Sequence, residues 1–62
     1  MHVIYRDKSW DLTEPVIATQ LLKWIGVLPE NVLVVRNEQL ITEDQLLKPG
    51  DLVKIIAVVS GG

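Results

Sequence analysis

Pro15 and Gly26 bracket the stretch of this chain whose apolar residues recur at helical spacing, "PVIATQLLKWIG". Ile17, Leu21, Trp24 and Leu28, with Ala18, Leu22 and Ile25 beside them, make one broad apolar stripe. Pro suits the first turn of a helix, Gly26 can take the left-handed conformation that ends one, and Pro29 blocks continuation. A lone amphipathic helix has to bury its stripe against a sheet, and the flanking segments read as strands.

"MHVIYR" alternates, with Met1, Val3 and Tyr5 on one face and His2, Ile4 and Arg6 on the other, the period of a half-buried strand. The polar "DKS" turns the chain and "WDL" resumes the alternation, predicting a hairpin with a loop of three to four residues. After the helix, "NVLVVR" is β-branched, and "NEQ" returns it as a shorter strand "LI", with Asn37 or Glu38 in the turn. "TEDQLL" predicts one helical turn capped by Thr42, "KPGD" a turn, and "LVKIIAVV" the last strand, whose continuous apolar character suits a central place in a sheet. The expected fold class is α+β, in the order β-β-α-β-β-β, with one helix packed on a mixed four- to five-stranded sheet.

Composition closes several functional classes. A chain of 62 residues has room for one domain, and 48% hydrophobic with 23% charged residues is a globular composition. With no Cys and a single His2, no thiolate zinc site, disulfide or thiol nucleophile can be built, so no metal site is expected. A net charge of −2, with six Lys and Arg dispersed along the chain, leaves no footprint for nucleic acid. The dispersed acidic residues make no catalytic carboxylate pair, and no catalytic residue is expected. "MHVIYRDKSW" carries no apolar signal segment and no run approaches a membrane span, so a cytoplasmic location without membrane contact is expected.

The β-β-α-β-β order, the "VRNEQLI" hairpin, the "LKPGD" turn and the closing "VVSGG" together resemble the ubiquitin-like β-grasp sulfur carriers of bacteria and archaea, the ThiS and MoaD families and their tRNA-thiolating relatives. The resemblance covers the whole chain, 1–62, as a single β-grasp domain with a flexible tail at 59–62. It implies that the first and last strands lie parallel and adjacent in mid-sheet. It implies further that a ubiquitin-activating-type adenylyltransferase joins the Gly62 carboxylate to AMP, and that a sulfur donor protein converts the adduct to a thiocarboxylate. A downstream sulfur-accepting synthase or thiolase would then take the sulfur for thiamine thiazole, molybdopterin or tRNA. "VRNEQLIT" lacks the Asn-Gly turn usual in thiazole carriers, and Arg36 resembles the tRNA-thiolating carriers more.

Two glycines admit a narrow channel and many dihedral combinations, which suits Val59, Ser60, Gly61 and Gly62 to an activation tail. The chain has no Gly-rich phosphate loop, so ATP and Mg²⁺ would belong to the activating partner and no cofactor to this chain. Alternation places Val3, Tyr5, Val53 and Ile55 under the helix, and Ile4, Val34, Lys54, Ile56 and Val58 on the opposite face, a candidate partner-binding surface. Of the two Trp residues, Trp24 on the stripe is the better core candidate. Two other functions fit the same sequence: a protein modifier linked to lysines through Gly62, and a β-grasp binding module without chemistry.

Overall fold

The computed structural model describes residues 1–58. The strands are β1 (His2–Tyr5), β2 (Lys8–Asp11), β3 (Val16–Ile17), β4 (Val32–Arg36), β5 (Gln39–Ile41), β6 (Leu46–Leu47) and β7 (Leu52–Ala57), with helix α1 (Ala18–Ile25) between β3 and β4. Five of them form one sheet in the order β2-β1-β7-β4-β5, and β3 pairs with β6 in a separate two-stranded ribbon. β1 and β7 run parallel, His2 opposite Leu52 and Tyr5 opposite Ile55, while the other ladders are antiparallel. The apolar last strand therefore lies at the centre, flanked by β1 and β4.

One face of the sheet carries the core. Val3, Val32, Val34, Val53 and Ile55 are buried against Ala18, Leu21 and Leu22 of α1, and among the described residues no polar or charged residue is buried with them. Tyr5, Trp10 and Ile25 pack around the margin.

The helix is shorter than the apolar stripe predicts. It begins at Ala18, since β-branched Val16 and Ile17 are extended and pair with Leu47 and Leu46. Its first amides are satisfied from the 43–45 loop: Ala18 N–H donates to the Gln45 carbonyl at 3.0 Å and Thr19 N–H to that of Glu43 at 2.9 Å. "TEDQLL" accordingly forms a turn and a short strand in place of a helical turn, and it delivers Leu47 to the core, fully buried. Gly26 ends the helix at φ 97°, its N–H bonded to the Leu22 carbonyl at 2.9 Å. Trp24 corrects the sequence reading: it is 60% exposed, and Trp10 is the tryptophan that packs on the core. On so short a helix, Ala18, Leu21, Leu22 and Ile25 fill the sheet-facing side, and the position of Trp24 falls at its edge.

Both hairpin turns are tighter than their polar stretches suggest. β1 and β2 close over two residues, Arg6 and Asp7, because Tyr5 already faces Lys8. β4 and β5 close over Asn37 and Glu38, both at positive φ, 50° and 70°. The Asn37 turn is bolted to the "KPGD" turn: Leu52 N–H donates to Asn37 Oδ1 at 2.9 Å, Asn37 Nδ2 to Asp51 Oδ1 at 3.2 Å, and Lys48 N–H to Asp51 Oδ2 at 3.0 Å. The Lys48 amide is the main cause holding the Asp51 carboxyl below its ordinary pKa; partial burial opposes it, and Asn37 and the charges of Arg36 and Lys48 reinforce it.

Two predictions follow from these turns. Glu38 sits where a side chain is disfavoured, so Glu38→Gly should raise the unfolding free energy by about 0.5–1 kcal/mol in a denaturant titration; a loss would mean that the Glu38 side chain stabilises the turn. Because the folded pKa of Asp51 is lowered, its contribution is complete above the unfolded value of about 4 and is lost as pH falls through the folded value. Asp51→Asn should therefore lower stability at neutral pH and lose less than the wild type on further acidification; parallel acid-unfolding curves would contradict this.

Candidate functional site

Strand pairing places one row of side chains across the sheet on the face away from α1. Ser9 of β2 lies opposite Ile4 of β1, Ile4 opposite Lys54 of β7, Lys54 opposite Val35 of β4, and Val35 opposite Leu40 of β5. In the next row Ile56 faces Leu33, and on the other side Leu52 faces His2, whose Nδ1 lies 2.6 Å from Asp11 Oδ1. This face is apolar yet open: Leu33 is 42%, Leu40 65%, Leu52 37% and Ile56 47% exposed. Lys54 is the one charged side chain on the central strand, and it forms no salt bridge among the described residues.

Of the residues assigned to this face from the sequence, Ile4, Lys54 and Ile56 lie on it together. Val34 does not. It is opposite Ile55, 4% exposed and part of the core, because β4 pairs with β7 one residue out of step with the expected register. Leu33 and Val35 take its place, and Leu40 and Leu52 extend the surface. "NVLVVR" is apolar at every second position in either register, so only the pairing partner could distinguish Leu33 from Val34.

Val58 lies past the end of β7, 39% exposed, with its N–H donating to the Asn31 carbonyl at 2.8 Å. This bond fixes where the chain leaves the sheet. Val58 borders a shallow cleft of about 450 Å³ whose other walls include Tyr5, Arg6, Gly26, Leu28 and Asn31. Gly62 and the other proposed tail residues, Val59, Ser60 and Gly61, lie outside the described residues. Among the described residues no three His, Asp or Glu side chains gather as a metal site, and no helix is long and apolar enough to cross a membrane.

A family model described as the ThiS family matches residues 3–62, nearly the whole chain and both final glycines. The chain belongs to the ThiS family. The parallel pairing of β1 with β7 and the single helix across the mixed sheet are its β-grasp fold. Membership gives the chain a sulfur-carrier role in general terms, in a family of small non-catalytic proteins that work with adenylyltransferases and sulfur-accepting enzymes. A search among curated proteins gives no match.

The ThiS-family sheet separates folding from surface on adjacent residues of β7. Ile55→Asp puts a carboxylate into the core and should cost several kcal/mol, enough to unfold a domain this small. Ile56→Asp, on the open face, should cost about 1 kcal/mol by the poorer strand propensity of Asp. Denaturant unfolding of both variants checks this; equal losses would contradict the register.

Proposed function

We propose that the protein carries sulfur on the carboxylate of Gly62. In this reading a ubiquitin-activating-type adenylyltransferase, holding ATP and Mg²⁺, lets the Gly62 carboxylate attack the α-phosphate, releasing pyrophosphate and leaving an acyl adenylate. The terminal sulfur of a donor protein's persulfide then attacks the acyl carbon and AMP departs. A thiol attacks the donor sulfur of the resulting acyl disulfide and cleaves the S–S bond that came from the persulfide, leaving a thiocarboxylate on Gly62 and a disulfide on the donor side. A sulfur-accepting synthase or thiolase takes the sulfur onward for thiamine thiazole, molybdopterin or tRNA, and the reaction belongs in the cytoplasm.

The observation that carries this reading is the reach of the family match, which extends through Gly61 and Gly62. The chemistry is consistent with the composition: sulfur that replaces an oxygen of the Gly62 carboxylate needs no thiol on the carrier, and the chain has no Cys. The open face of Ile4, Leu33, Lys54 and Ile56 is proposed as the surface that meets the activating enzyme, since exposed apolar groups ringed by polar ones mark partner sites. In the same proposal Val58, anchored to Asn31, starts the tail formed by Val59, Ser60, Gly61 and Gly62.

Adding one alanine after Gly62 tests the reactive atom. ATP–pyrophosphate exchange with the cognate adenylyltransferase should be lost, while stability changes by no more than about 0.5 kcal/mol, as for a surface change without a special contact. Undiminished exchange by the extended chain would reject Gly62 as the site of chemistry.

A further inference from the structure

β2 is an edge strand, with β1 on one side and no neighbour on the other among the described residues. Tyr5 and Lys8 close the two-residue turn as a hydrogen-bonded pair, and pairing alternates from there, as the bond from Leu12 N–H to the Met1 carbonyl at 2.8 Å confirms. Lys8 and Trp10 therefore turn their backbone groups inward to β1. Ser9 and Asp11 turn their N–H and C=O groups outward, unpaired with other backbone in the described residues.

The side chains beside this free edge form a groove on the helix side of the sheet. A hollow of about 350 Å³ is lined by Tyr5, Arg6, Asp7, Lys8, Trp10 and Ile25. Trp24 stands beside it, its ring edge-on to Trp10 with centroids 5.8 Å apart, and it remains 60% exposed. That is a large apolar ring left open on a helix whose other apolar residues are largely buried. The Arg6 guanidinium lies over the Tyr5 ring at 5.5 Å. Neither Arg6 nor Lys8 forms a salt bridge among the described residues, so with Asp7 the wall is net positive on a chain of net charge −2.

We propose that the β2 edge and the Trp10–Trp24 groove form a second docking site, for an extended peptide strand of a partner protein with apolar residues at alternate positions and acidic residues beside them. The Ser9 and Asp11 backbone groups supply the ladder that adds a strand to an open edge. Successive side chains of an added strand alternate between faces, so every second one falls on the helix side, where Trp24, Trp10 and Ile25 give it apolar contact. Arg6 and Lys8 select the acidic flank and disfavour a basic one. The site lies on the opposite side of the sheet from Ile56 and Leu33. It does not depend on the chemistry at Gly62.

The test is an amide NMR titration of the full chain with a capped synthetic peptide, a run of Asp followed by alternating Ile and Thr. Binding should shift the Ser9 and Asp11 amides and slow their hydrogen exchange, and should move the Trp10 and Trp24 indole signals. The same peptide with Lys in place of Asp should bind at least about tenfold more weakly. Trp24→Ala should weaken binding by a similar factor, as should Ser9→Pro, which removes an outward N–H at an edge position where Pro is tolerated. Unchanged core signals of Val3 and Val53 show that the variants fold. The proposal is overturned by shifts confined to the Ile56 and Leu33 face, by equal affinity for the Lys peptide, by the absence of shifts, or by an edge already protected through self-association of the free protein.

Discussion

The parallel pairing of β1 with β7 is the constraint on which the rest of the structure depends. Two parallel strands cannot be joined by a tight turn, so somewhere between Tyr5 and Leu52 the chain must cross a face of the sheet before it can return alongside β1. α1 makes that crossing and brings Ala18, Leu21 and Leu22 onto Val3, Val53 and Ile55. With β4 on its other side, β7 is bonded along both edges and becomes the interior of a chain with little core to spare. The same pairing generates the surface. Once Val53 and Ile55 point inward, Lys54 and Ile56 must point outward beside Ile4 and Leu33, and among the described residues no second α-helix covers them.

Features set by a single residue or a strong period were legible from the sequence. Gly26 ends the helix in the left-handed conformation, Asn37 takes positive φ in its hairpin, and the last strand, apolar except at Lys54, announces its central position. Features set by pairing between distant segments were not. Val16 and Ile17 continue a helical stripe on paper, and only Leu46 and Leu47 across from them make them extended. Thr42 looks like a helix cap, yet the loop after it gives its carbonyls at Glu43 and Gln45 to the start of α1. Val34 and Leu33 exchange faces for the same reason: alternation says that neighbours differ, and the register with β7 says which one is buried.

The candidate site divides along similar lines. Ile4, Lys54 and Ile56 could be placed because β1 alternates and Lys54 marks the open face of β7, whereas Leu33, Val35 and Leu40 depend on a hairpin whose register the sequence leaves open. Trp24 lies outside the core because the apolar stripe from Pro15 to Leu28 is longer than the two helical turns that form. Its exposure, with that of the β2 edge, gives the helix side of the sheet a surface of its own. An activating enzyme on the outer face and a peptide on the β2 edge could then be held together, with Val58 and its bond to Asn31 fixing where the chain leaves the sheet.

Under the proposed function, the fold presents the Gly62 carboxylate for replacement of an oxygen by sulfur. The most direct test is mass spectrometry of the protein after incubation with the cognate adenylyltransferase, ATP and a persulfide donor, followed by digestion to isolate the fragment containing Gly62. The account predicts a mass increase equal to one oxygen replaced by one sulfur, confined to that fragment. An unchanged fragment after demonstrated adenylation, or a fragment linked to a lysine of another protein in place of the sulfur adduct, would contradict it.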